Sequence, residues 1–203
     1  MTDSARPTVY LAGPMVFYPN PERTFRAMKK ICRMHGLDGV APTDNQVRLQ
    51  GRKPGKALIQ DIVEADIALM NQLDGGLFCL DGFHRAPDMD PGTAFEIGYM
   101  NARGKPMCGW TEDGRSYPTK VQNYFKQIFG AQLYLAAANP NGGTSGAWRD
   151  PDDILVHSRG CVQNGMVQIG IERGGGKVFA HPDWRVAFDR AAAHLAKMFR
   201  RTL

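Results

Sequence analysis

Alternation between two kinds of apolar segment is the feature that most constrains the fold of this chain. Apolar runs of strand length, at 8–12, 39–42, 75–80, 106–110 and 177–180, are separated by stretches in which apolar residues recur at helical spacing. Strands that alternate with helices usually pair in parallel, with the helices covering the faces of the sheet. The pattern predicts an α/β fold with a five-stranded parallel sheet and helices on both faces.

Capping residues mark the predicted helix boundaries. Asn20-Pro21 and Asp90-Pro91 each place a capping side chain before a proline that can start a helix. Helices are predicted at 21–36, 57–73, 91–103, 161–171 and 184–200, which suits a doubly wound, flavodoxin-like sheet. The stretch 130–153 has loop composition instead. We expect residues 1–203 to form a single domain with a loop insertion at about 130–160.

Charge and hydropathy exclude several classes of partner. The chain has a net charge of +5, but its basic residues are scattered over predicted helix faces and one loop rather than clustered in a groove. No apolar stretch approaches the about 20 residues of a membrane span, and the first residues lack the apolar core of a signal peptide. We expect a cytosolic protein that binds neither a polynucleotide nor a membrane.

Cysteine and histidine spacing gives no sign of a metal. The four cysteines lie far apart, and the five histidines show no ligand spacing. Cys79 and Cys108 fall inside apolar segments, where a buried reduced thiol is ordinary. We expect neither a metal nor an organic cofactor.

Asp66 is an acid inside an apolar helical stripe. The stripe is predicted to face inward and comprises Ile59, Ile62, Val63, Met70 and Leu73. Burial of a carboxylate is costly unless it is paired or protonated. Asp66 is therefore either a hydrogen-bonded structural acid, a residue beyond an earlier helix end, or a carboxyl of raised proton affinity that protonates a ligand in a cleft.

Glu96 raises the same question. It follows a helix opening in which Asp90 can cap free amides and Gly92 allows a ligand to approach closely, and its neighbours Phe95, Ile97 and Tyr99 are apolar or aromatic. Ligands of such folds bind where strands end, here after Ala12, Ala41, Leu80 and Trp110. Two or three acids near strand ends suggest chemistry on a glycosidic bond, which commonly needs one carboxylate as nucleophile and one as acid.

Three phrases resemble the nucleoside 2-deoxyribosyltransferase family. They are Val9-Tyr-Leu-Ala-Gly-Pro14, Pro42-Thr-Asp-Asn-Gln46 and Asp90-Pro-Gly-Thr-Ala-Phe-Glu-Ile-Gly-Tyr99, followed by Gly104-Lys-Pro106 and, more faintly, by Asn164-Gly-Met166. The last and longest of the three phrases is the specific part of the match. The resemblance covers about residues 8 to 110.

The resemblance implies roles for individual residues. Glu96 falls on the family's nucleophile, and Asp90 falls on the aspartate that binds the deoxyribose hydroxyls. Asp66, which stands eight residues before Asp74, falls on a third acid. The family's tyrosine falls on Tyr10, which would hold the nucleophile's carboxylate, and Gln46 would touch the base.

Further substrate contacts are expected around these acids. Gly13 and Phe17, which follow the first strand, and Gly92 are added to the predicted substrate-binding residues. In the family a neighbouring subunit completes each pocket with an asparagine and a methionine, which implies that Asn164 and Met166 enter a partner's site and that the protein is a homo-oligomer. Relatives have a leucine where this chain has Gly165, which leaves that contribution open.

The resemblance implies a base exchange on 2-deoxynucleosides with retention of configuration. Glu96 would attack the anomeric carbon to form a deoxyribosyl ester, Asp66 would protonate the leaving base, and a second free nucleobase would then take the sugar. A nucleoside or nucleotide N-glycosidase on the same fold, with water as acceptor, is the nearest alternative, and a non-catalytic nucleotide-sensing module is another. Base preference stays open, as does a phosphorylated substrate recognised by residues such as Arg48, Arg52, Lys53, His84 and Arg85.

Overall fold

Five parallel strands form the main sheet of the protein. The computed structural model describes residues 5–46, 49, 51–136 and 147–202. The strands of the sheet are β1 (Thr8–Ala12), β2 (Asp38–Val40), β3 (Gly75–Cys79), β4 (Met107–Thr111) and β8 (Val178–Ala180). They lie in the order β2-β1-β3-β4-β8, and all neighbours pair in parallel. This is the flavodoxin-like doubly wound order, so the predicted fold class is confirmed.

Helices cover both faces of the sheet. They are α1 (Pro21–Met34), α2 (Pro42–Asn45), α3 (Lys56–Gln72), α4 (Pro91–Ala102), α5 (Tyr117–Phe129), α6 (Gly165–Glu172) and α7 (Trp184–Thr202). Helices α1 and α7 share one core cluster with the sheet, while α3, α4 and α6 share the other. Successive strand residues point to opposite faces, so Val9 and Leu11 enter the first cluster and Tyr10 enters the second.

Helix α3 meets the core with only part of the predicted inward stripe, since Met70 and Leu73 are buried as predicted. Ile59 and Val63 are 58% and 45% exposed, whereas Ala65, Leu69 and Met70 are buried. The three buried residues all lie in the second half of α3, where the helix covers the sheet. The predicted inward stripe was therefore wrong for Ile59 and Val63, because this helix is apolar on more than one side and periodicity could not tell which side meets the sheet.

The stretch predicted as a loop contains short strands. Three two-residue strands, β5 (Tyr134–Leu135), β6 (Trp148–Arg149) and β7 (Leu155–Val156), form a small antiparallel sheet. Trp148 of β6 and Val156 of β7 pack with Tyr117, Val121 and Leu133 in a third apolar cluster beside α5, a helix that was not predicted. Residues 137–146 of the predicted insertion lie outside the described part. Within the described ranges no helix is long and apolar enough to cross a membrane.

Candidate active site

Tyr10 and Glu96 meet beneath the carboxyl edge of the sheet. The side chain of Tyr10 points from β1 towards the face covered by α3, α4 and α6, and it is fully buried. Its phenol donates a hydrogen bond to Oε1 of Glu96 at 2.7 Å. Because side chains alternate along β1, the phenol of Tyr10 lies on the face that α4 covers, where it meets the carboxylate of Glu96.

Asp90 caps the helix that carries Glu96. Its Oδ2 accepts hydrogen bonds from the backbone N–H of Thr93 at 2.7 Å and from the Thr93 hydroxyl at 2.8 Å. Pro91 occupies the first helical position, where its missing N–H costs nothing. Asp90 is only 7% exposed. A Cβ at Gly92 would lie 3.1 Å from Asp90 Oδ2, so glycine leaves room beside this carboxylate.

The carboxyl of Asp66 accepts a hydrogen bond from the side-chain amide of Gln46. Gln46, which directly follows α2, donates from Nε2 to Oδ1 of Asp66 at 3.1 Å and lies 3.4 Å from Oδ2. The preceding residue, Asn45, donates to the backbone carbonyl of Ala65 at 3.1 Å. Two adjacent amide side chains therefore join α2 to the turn of α3 that carries Asp66.

The charges of Asp66 and Asp90 affect the pKa of Glu96. Burial raises the pKa of Glu96 from 4.5 to about 8; the hydrogen bond from Tyr10 opposes the rise, and the negative charges of Asp66 and Asp90 add to it. Burial also raises the pKa of Asp66, against the hydrogen bond from Gln46. The pKa of the Tyr10 phenol is raised chiefly by burial, so this group stays a donor. The raised pKa values of Glu96 and Asp66 both favour the protonated carboxyl, the form that general acid catalysis requires.

The segment after β1 exposes an aromatic ring near this edge. Gly13 has a φ of 153°, and a Cβ there would lie 2.5 Å from Cβ of Cys79, so only glycine fits. The chain then forms a short 3-10 turn, Pro14–Phe17. The ring of Phe17 is 65% exposed and lies 5.4 Å from the ring of Phe83.

Asn164 and Met166 lie at the start of α6. Oδ1 of Asn164 accepts from the backbone N–H of Met166 at 2.9 Å and so caps the helix, while the Met166 side chain is 88% exposed. No hydrogen bond between described residues joins either side chain to Glu96 or Asp66. The chain by itself thus joins Tyr10 to Glu96 and Gln46 to Asp66, whereas Asn164 caps α6 and the Met166 side chain is exposed.

Sequence reasoning missed Gln163. This residue is fully buried, and its Nε2 donates to the carbonyls of Leu80 at 3.2 Å and Pro87 at 3.1 Å. Its Oε1 accepts from the N–H of Asn164 at 2.9 Å. Gln163 therefore fastens the start of α6 to the loop between β3 and Asp90. An uncharged glutamine beside a helix cap carries no sequence signal that would have revealed this.

Among the residues with described positions, no group of three or more His, Cys, Asp or Glu side chains is arranged to hold a metal ion. Of the basic residues considered for a phosphate, Arg52 is paired with Asp61, His84 lies against the ring of Phe83, and Arg48 lies outside the described residues.

Comparisons with known proteins agree with the phrases found in the sequence. The family described as nucleoside 2-deoxyribosyltransferase matches residues 9–166. An uncharacterized protein of Schizosaccharomyces pombe is 47% identical over 190 residues, which cover 94% of this chain and 89% of that protein. The structure of a 2-desoxiribosyltransferase from Leishmania mexicana matches with a TM-score of 0.59 at 23% identity, covering 93% of this chain and 98% of the other, and so shares its fold.

Proposed function

Because this chain belongs to the nucleoside 2-deoxyribosyltransferase family, we propose that it exchanges the nucleobase of a 2-deoxynucleoside through a covalent deoxyribosyl ester on Glu96. The observation that carries the proposal is the hydrogen bond from buried Tyr10 to Glu96, next to the protonatable carboxyl of Asp66. One nucleophile and one acid are the groups that a retaining exchange at an anomeric carbon needs.

In the first step Glu96 forms a bond to C1′ of the sugar. A carboxylate oxygen attacks C1′ while the bond between C1′ and the base nitrogen breaks, and the bonding electrons leave with the base. The proton of Asp66 passes to the departing base. Burial raises the pKa of Glu96, so this acid must lose its proton before it attacks. The phenol of Tyr10 stabilises the resulting carboxylate, and Asp66 holds the proton that passes to the base.

In the second step the same groups act in reverse. A second nucleobase attacks C1′, the ester oxygen leaves as the Glu96 carboxylate, and the incoming base returns a proton to Asp66. Two displacements at one carbon retain its configuration. The positive charge that develops on the sugar in each transition state is stabilised by the neighbouring carboxylates.

The surrounding residues are proposed to bind the substrate. Asp90 would accept from the deoxyribose hydroxyls, Gln46 would contact the base beside Asp66, and the exposed ring of Phe17 would stack on it. The exposed position of Met166 supports its proposed entry, with Asn164, into the site of a second subunit, in a homo-oligomer that shares its active sites.

Incubation of each common 2-deoxynucleoside with and without a second free base tests the proposal. A transferase forms the new nucleoside when the second base is present, and chromatography detects it. Glu96→Ala should abolish this product without unfolding the protein, whereas Glu64→Gln, on the exposed side of α3, should not. Sugar release that is equal with and without the second base would identify an N-glycosidase instead, and normal turnover by Glu96→Ala would exclude the covalent mechanism.

A further inference from the structure

Helix α2 holds the amide that meets Asp66, yet little apolar packing fixes this helix. It comprises only Pro42–Asn45, and Pro42 is its one buried residue. A four-residue helix is far too short to be stable by itself. A cavity of about 630 Å³ lies beside it, and the lining of this cavity includes Lys29, Asp44 and Gln46. The position of α2 therefore depends on a few specific polar contacts.

Asp44 provides the contacts on the side of α1. Nζ of Lys29 lies 2.6 Å from Oδ1 and 2.5 Å from Oδ2 of Asp44, so the ammonium is shared by both carboxylate oxygens. Oδ2 also accepts from the backbone N–H of Ala41 at 2.8 Å, which closes the first turn of α2. The carboxylate thus joins α2 to α1 and to the end of the strand segment that precedes it.

The contacts on the side of α3 come from the next two residues. Asn45 donates to the carbonyl of Ala65, and Gln46 donates to the carboxyl of Asp66. Three consecutive side chains therefore hold α2 between two helices. If the contact with α1 is lost, α2 can rotate about its remaining hydrogen bonds to α3. Such a rotation would move the Gln46 amide away from the carboxyl of Asp66.

We propose that the Lys29–Asp44 ion pair is a positioning element of the active site, which holds α2 against α1 so that the amide of Gln46 stays on the carboxyl of Asp66. The proposal rests on the proposed role of Asp66 as proton donor. An ion pair in which both side chains are partly exposed contributes little to global stability. Its loss should therefore change the site without unfolding the protein.

The charged and titratable groups around Asp66 determine the sign of the expected change. Glu96 from α4 and Tyr10 from β1 interact with its charge, and Gln46, which directly follows α2, donates to it. Gln46 favours the ionised form and so lowers the pKa of Asp66. Displacement of the amide raises that pKa, and the fall of activity at alkaline pH, where Asp66 loses its proton, should move to higher pH.

A double-mutant cycle in the full-length protein tests the proposal. Lys29→Met should lower kcat/KM for base exchange about 3–10-fold and move the alkaline limb of its pH profile in the same direction as Gln46→Leu does. In the Gln46→Leu background, Lys29→Met should have an effect below about twofold, because its target is already gone. Lys30→Met, a change of the same chemistry on the exposed neighbour, is the matched control, and Lys29→Arg should restore activity.

Two results would overturn the proposal. One is a Lys29→Met variant that behaves as Lys30→Met does, and the other is an effect of Lys29→Met that is equally large without the Gln46 amide. If the unmodified protein exchanges no base, the positioning role can still be tested by itself. The titration of Asp66 is then followed by carbon NMR of labelled aspartate. A midpoint that rises in Lys29→Met but not in Lys30→Met keeps the positioning role while the proposed function fails, and an unchanged midpoint removes the positioning role.

Discussion

Substitution of Glu96, the proposed nucleophile, should make the protein more stable at alkaline pH. Burial raises the pKa of Glu96 from 4.5 to about 8, so the folded protein holds this proton more tightly than the unfolded chain does. Stability is therefore lost as pH rises from the unfolded pKa towards the folded one. Below the unfolded pKa both states are protonated, and the group makes no difference.

The magnitude follows from the two pKa values. At about 1.4 kcal/mol per pKa unit, full ionisation of Glu96 costs the folded state about 4–5 kcal/mol, of which less than about 1 kcal/mol is already present at about pH 5. Glu96→Gln keeps the size of the side chain and an oxygen that can accept from Tyr10, but it cannot ionise. The variant should gain about 3–4 kcal/mol of unfolding free energy over the unmodified protein between about pH 5 and about pH 8.5.

Urea unfolding, followed by tryptophan fluorescence at a series of pH values, measures this gain. Glu64→Gln removes a carboxylate from the exposed side of α3 and is the matched control for the substitution. The pH-dependent part of the difference matters, because a constant offset could come from packing alone. A difference between Glu96→Gln and the unmodified protein that stays flat across the pH series would refute the conclusion that burial of this carboxylate is costly.

Three further predictions concern other contacts. Tyr10→Phe removes the donor to Glu96 and should lower kcat/KM about 10–100-fold. It should also raise the pKa of Glu96, which would move the acidic limb of the pH profile to higher pH, so an unchanged profile would contradict this prediction. Gly98→Ala, in α4 with open space at its Cβ, should raise the unfolding free energy by about 0.5–1 kcal/mol in urea titrations, and a loss of stability would indicate that something packs there. Gln163→Leu leaves the carbonyls of Leu80 and Pro87 without their buried donor and should lower the unfolding free energy by about 2–4 kcal/mol in the same measurement. A loss below about 0.5 kcal/mol would show that these hydrogen bonds do not stabilise the fold.

The sheet and most of its helices could be predicted because their signals are local. Asp90 caps α4 through Thr93, and Asn20 caps α1 through the N–H of Arg23, in contacts that span three residues each. Helix α5 was missed although Ser116 precedes a proline near its start. The small sheet could not be foreseen, because two-residue strands are too short to show any periodicity.

Some features of the candidate site could be predicted from the sequence and others could not. Asp66 and Glu96 stand out in the sequence, since each is an acid among apolar neighbours. The exposure of Ile59 and Val63 did not follow from the sequence, because periodicity gives the spacing of a helical face and not its direction. The contacts of Lys29 with Asp44 and of Gln163 with Leu80 join residues distant along the chain, and polar residues of this kind have no pattern before the chain folds.

The sequence alone determined which residues repeat at strand and helix spacing, where the helices are capped and which carboxylates sit in apolar surroundings. These properties depend on interactions within a few residues, which any window of the chain contains. Only the tertiary structure decided that the phenol of Tyr10 meets Glu96 across 86 residues of chain and that Gln46 meets Asp66 across 20. The protonation of the acids depends on burial, and burial exists only after distant segments have packed together.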